Sequence, residues 1–126
     1  MTDKEFAAEK KRCQGLLSRW SEALGVRARY RMTYDYYTGP IPDHEDAGMT
    51  CTADWRYLHA TIAINTEKTK GLDDEHLSWI VLHEFFHVFL NEMREPGIDH
   101  EERVATELAN AIVLLQGEWA KARREK

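Results

Sequence analysis

The sequence predicts an α+β domain built from an N-terminal helix, a three-stranded antiparallel sheet and two further helices. Three observations lead there. Apolar residues recur at helical spacing over residues 3–24, then alternate strictly with polar ones, then return to a helical pattern beyond residue 73. The chain has 126 residues, a length that suits one domain, taken here as 1–126. Its composition, 43% hydrophobic and 31% charged, can fill a core and excludes a disordered or fibrous chain.

The first helix places Phe6, Cys13, Leu16, Leu17, Trp20, Ala23 and Leu24 on one stripe, with Lys and Arg between them, and Gly25 is placed to end it. The period then becomes two. Val26, Ala28, Tyr30, Met32, Tyr34 and Tyr36 alternate with Arg27, Arg29, Arg31, Thr33 and Asp35, which predicts a half-buried strand. Two prolines and two glycines make 37–48 a loop. Residues 49–55 and 58–65 read as a hairpin with Arg56 and Tyr57 between its strands. Gly71 marks a turn, and Asp73 or Asp74 can cap a helix running to about Met93, closed by Glu95, Pro96 and Gly97. A last helix spans about Asp99–Ala122, with Val104, Leu108, Ala111, Ile112 and Leu115 on one face.

Charge and hydropathy narrow the function. No stretch approaches the roughly 20 apolar residues of a membrane span, and the charged N-terminus has no signal-peptide core. A cytoplasmic protein with no membrane partner is expected, with Cys13 and Cys51 as free thiols. Net charge is −5, which makes nucleic acid an unlikely partner. The excess is uneven: residues 32–107 hold sixteen acids against five Lys/Arg, and residues 1–31 hold eight Lys/Arg against four acids. An acidic middle favours a cation, either a metal or a basic peptide.

Residues 83–87 read His-Glu-Phe-Phe-His, an HExxH motif. Four residues apart on a helix, His83 and His87 project from one face and can reach a single metal ion. Glu84, about 100° round the helix, can reach a water beside that metal without ligating it. The surrounding helix is apolar nearly all round, from Leu77 through Trp79, Ile80, Val81, Leu82, Phe85, Phe86, Val88 and Phe89 to Leu90. It is therefore expected to be buried, and three polar side chains inside it need partners. A metal ion supplies one for all three.

Zinc takes a third protein ligand and leaves the fourth position to water. The next helix offers His100, Glu101 and Glu102, with Glu107 further on. Helical phase favours Glu101, which lies nearest the centre of the apolar stripe. His100 is about 60° off it and Glu102 roughly 100° or more.

With these residues the sequence resembles the zincins, and within them the compact gluzincin-like proteins and short phage- and prophage-encoded proteins assigned as metallopeptidases. The resemblance covers 49–115, about half the chain. It implies a zincin-like fold, Zn2+ as cofactor, His83 and His87 as ligands, Glu84 as general base, and Glu101 or Glu102 as the third ligand. The metzincin continuation is absent, because Leu90 and Met93 stand where that family has Gly and His.

The implied activity is peptide-bond hydrolysis by a zinc-bound water, with a protein or peptide as substrate. Candidates for stabilising the oxyanion are Tyr34, Tyr36, Tyr37, His59 and His100; His44, His59 and His76 read as surface residues. Residues 58–65, just ahead of the metal helix, are the expected edge for an extended substrate. The alternative is a non-catalytic metal-binding or regulatory module of phage origin that keeps the zincin fold.

Overall fold

The computed structural model describes residues 1–91 and 101–124, without the side chains of 103 and 118–124. Among them are four α-helices and one three-stranded sheet: α1 (Asp3–Leu24), β1 (Arg31–Tyr37), β2 (Met49–Asp54), β3 (His59–Asn65), α2 (Thr66–Thr69), α3 (Asp74–Leu90) and α4 (Glu101–Arg124). The α+β class is as expected. No helix among the described residues is long and apolar enough to cross a membrane.

Both long early helices start on local chemistry, and α1 also ends on it. Thr2 and Glu5 form a capping box at the start of α1, and Gly25 ends it at φ 69°, a left-handed conformation that glycine adopts without a Cβ penalty. The chain then makes a 3-10 turn, Val26–Ala28, so the strand begins only at Arg31. Asp73 caps α3 by accepting from the His76 backbone N–H at 2.8 Å.

The sheet is mixed, which corrects the expected all-antiparallel arrangement. Strand order is β1-β3-β2; β2 runs antiparallel to β3, and β1 runs parallel to it. Burial accounts for this order. β3 is the most apolar strand, with Ala60, Ile62, Ala63 and Ile64 all buried, so it takes the centre. The β2–β3 hairpin fixes one side, with a four-residue turn, Trp55–Leu58. β1 fills the other edge, and the 21 residues between β1 and β3 are long enough for a parallel connection. β3 therefore has no open edge for a substrate strand. β2 has one, being paired on one side only among the described residues.

Rows of side chains cross the sheet in register: Tyr36–Ile64–Met49, Tyr34–Ile62–Cys51 and Met32–Ala60–Ala53. Their face packs into one core with Cys13, Leu17 and Trp20 of α1 and with Leu77, Val81, Leu82, Phe85 and Val88 of α3. Thr33, Asp35 and Thr52, on the alternate positions, are exposed.

Two polar clusters set the height of α3. At its start, Arg12 of α1 bridges Glu9 (3.1 Å), Asp74 (2.9 Å) and the carbonyls of Thr69 and Leu72, and Thr69 donates to the buried Glu9 carboxylate at 2.6 Å. Burial in this cluster pushes the Cys13 thiol up to about 11. At its end, buried Asn91 accepts from the Trp55 N–H at 2.8 Å and donates to the Tyr30 hydroxyl at 3.2 Å. α3 is thus tied to α1 at one end and to the hairpin turn at the other.

α4 packs on α3 along a seam shifted from the centre of the predicted stripe, of which Ile112 is partly buried against the core and Val104 is half-buried. Ala105 and Ala109 are fully buried, while Leu108, Ala111 and Leu115 are exposed. The reason is steric: α3 already presents bulky side chains, and small residues let α4 approach it closely. Glu101, one turn before Ala105, faces inward with that seam and is only 6% exposed. The expected closure of α3 at Glu95–Gly97, and His100, lie outside the described residues.

Candidate metal centre

His83, Glu84 and His87 lie in the middle of α3 and are all buried. Their donor atoms form a group within 4.8 Å of one another, able to hold a metal ion. The two imidazole rings meet edge to face, 4.7 Å between centroids. Trp79 stacks on the His83 ring at 5.3 Å, and its indole N–H is anchored on Asn110 of α4 at 2.7 Å. One helical turn thus delivers both imidazoles, and α4 braces the first of them.

The two acids that open α4 take different places. Glu102 reaches over the histidine pair: its Oε1 lies 2.9 Å from Nε2 of His83, and its Oε2 lies 2.9 Å from Nε2 of His87. Glu101 meets the opposite side of the second ring, accepting from Nδ1 of His87 at 2.8 Å. That bond leaves Nε2 of His87 with the lone pair a metal needs. Helical phase is therefore right that Glu101 faces inward. The inward position, however, puts it behind His87, and the exposed neighbour spans the two Nε2 atoms.

The donor set suits a divalent metal. Nε2 of His83 is buried and makes no aligned hydrogen bond, although a carboxylate oxygen stands 2.9 Å away. Ligand atoms around one tetrahedral zinc are about 3.3 Å apart, close to these separations. Two imidazoles and a carboxylate also match the known chemistry of catalytic zinc. The Glu84 carboxylate, whose Oε1 is 3.5 Å from Nδ1 of His83, holds the His83 imidazolium above its usual range against the opposing effect of burial. A proton and a metal compete for this site.

The cleft over these residues has a volume of about 350 Å³ and is lined by His44, Met49, Thr50, Cys51, His83, Glu84, His87 and Glu102. Its walls are α3, the start of α4, edge strand β2 and the loop before it. The proposed oxyanion residues mostly lie elsewhere. Tyr34 and Tyr36 line a separate cavity with Lys10, Gln14, Leu17, Ser18 and Arg27. His59 pairs with Thr33 at 3.3 Å and lines a third cavity with Arg27, Arg29 and Arg31. Tyr37 ends β1 and is not among the cleft-lining residues, and His76 is exposed on Asp73. His44, which the sequence places at the surface, is the histidine from outside α3 that lines the cleft among the described residues. Its loop carries no periodic signal, and only its position just before the edge strand hints at the role.

No family model, curated protein or solved structure matches this chain.

Proposed function

We propose that this protein is a zinc-dependent peptidase, with His83, His87 and Glu102 as ligands and Glu84 as general base. The observation that carries the reading is the meeting of both Nε2 atoms on the Glu102 carboxylate in a cleft that Glu84 also lines. A purely structural metal site has no use for the added acid.

Zinc, when bound, supplies Lewis acidity: it lowers the pKa of water toward ~7 and polarises a carbonyl. The chain's own residues do the rest. Glu101 fixes the tautomer and tilt of His87, and Trp79 fixes the plane of His83. Glu84 takes a proton from the attacking water and passes it to the leaving amine nitrogen as the C–N bond breaks. β2 forms the cleft wall with Met49, Thr50 and Cys51 and has an open edge among the described residues. An extended peptide can pair with that edge and lie across the histidines. The substrate is accordingly a protein or peptide.

Glu84→Gln separates binding from chemistry. Loaded with zinc, the variant should keep one metal per chain and lose about 10²- to 10⁴-fold in cleavage of fluorescein-labelled casein. Equal cleavage by the variant and the wild type would contradict the reading.

A further inference from the structure

We propose that His44 is a catalytic residue of this cleft, donating an imidazole N–H to the oxyanion that develops on the scissile carbonyl. The inference rests on the peptidase reading and assigns the one role which α3 and α4 leave open.

Chemistry at the cleft needs three kinds of group. His83, His87 and Glu102 are committed to the metal, and Glu84 to the proton. Four lining residues remain: His44, Met49, Thr50 and Cys51. Met49 has no donor, and a thiol is a weak one. Thr50 pairs with Ala63 and alternates out of the row that carries Met49 and Cys51. His44 alone among them brings a strong N–H donor.

The loop that carries His44 is held in place, as an oxyanion donor requires. Ile41 is buried at 3% exposure and forms an isolated bridge with His44, whose N–H donates to the Ile41 carbonyl at 2.9 Å. Lys68 of α2 donates to the Asp46 carbonyl at 2.5 Å, and the Asn65 N–H donates to the Gly48 carbonyl at 2.8 Å. At Gly48 the loop lies against Ile80 of α3, so close that an added Cβ would touch its Cδ1 at 3.9 Å. Asp43, immediately before, takes a left-handed φ of 65°, a conformation that aspartate tolerates better than most residues. The loop is thus fixed to the core, to α2 and to the metal helix, while the His44 side chain stays exposed at the mouth of the cleft.

The step balances without a further reactant. Water oxygen bonds to the carbonyl carbon and its proton goes to Glu84. The carbonyl π pair moves onto oxygen, where His44 donates its hydrogen bond. When the carbonyl re-forms, the C–N bond breaks and Glu84 returns the proton to nitrogen.

The test uses the 126-residue chain as wild type, His44→Ala and His44→Gln, each loaded with zinc. The first readout is zinc affinity, which should be the same in all three. The second is calorimetric binding of phenylphosphonate, a stable tetrahedral anion. His44→Ala should weaken it about tenfold or more, and His44→Gln, which keeps an N–H donor, should recover part of the loss. On labelled casein, kcat should fall about 10²-fold in His44→Ala with little change in KM. Loss of zinc from His44→Ala would make His44 a ligand and overturn the proposal. Unchanged phosphonate affinity and kcat, in a protein whose cleavage still depends on Glu84, would overturn the role of His44 alone. No phosphonate binding by the zinc-loaded wild type would also overturn it. No zinc uptake by the wild type would overturn it together with the peptidase reading.

Discussion

Glu101 and Glu102 are adjacent in sequence and chemically identical, yet they meet opposite nitrogens of His87. The buried acid orients the ring from behind, and the acid with a 73% exposed side chain faces both Nε2 atoms. Two substitutions tell these roles apart. Under the proposed assignment Glu102→Gln removes a ligand and should weaken zinc binding more than 100-fold, whereas Glu101→Gln should cost about 10- to 100-fold. Competition with a chromophoric chelator measures both, and the reverse order would exchange the roles. His83, Glu84 and His87 could be read from the sequence because a rigid helix turns spacing into direction. The third ligand proposed here, Glu102, could not. Helical phase says which acid faces the core, but an imidazole offers two nitrogens on opposite sides, and phase does not say which one an acid will meet. The place of His44 at the cleft was illegible for another reason: no period governs the loop from 38 to 48, and its position depends on contacts with Ile80 and α2.

At the scale of elements, the position of α4 depends on its small residues. Hydrophobic periodicity centred the stripe on Val104, Leu108, Ala111, Ile112 and Leu115, of which Val104 and Ile112 are half-buried and Leu108, Ala111 and Leu115 are exposed. Close packing against the crowded α3 selected Ala105 and Ala109 instead. Ala109→Leu should therefore overpack the seam, cost about 1–3 kcal/mol in thermal or urea unfolding, and weaken zinc binding by displacing Glu101 and Glu102. Leu115→Ala, on the same helix but 63% exposed, should change stability by about 0.5 kcal/mol or less and leave zinc affinity alone. The extents of α1, α3 and the two hairpin strands were legible within a few residues, because caps, turns and periods are local signals. Strand order was not. Alternation marks Met32, Tyr34 and Tyr36 as one face of a strand, but it carries no information about neighbours. The central place of β3 follows from its being the most fully buried strand, and β1 then falls to its far side and runs parallel.

The whole molecule combines a one-sided sheet, two helices on its apolar face and a fourth helix that completes a cleft beside edge strand β2. Arg12 and Glu9 at one end of α3 and Asn91 at the other hold the two histidines at a fixed height above that strand. The sequence already concentrates acids between residues 32 and 107, and the fold brings Glu84, Glu101 and Glu102 from that region around one histidine pair. Everything proposed for this protein depends on that convergence being a metal site. The most direct measurement is the metal content of freshly purified protein, without a metal-binding tag or added metal, by elemental mass spectrometry, with His83→Ala/His87→Ala purified alongside. The account predicts about one zinc per wild-type chain and none in the double variant. A wild-type protein that carries no metal and takes up none when zinc is supplied would contradict it.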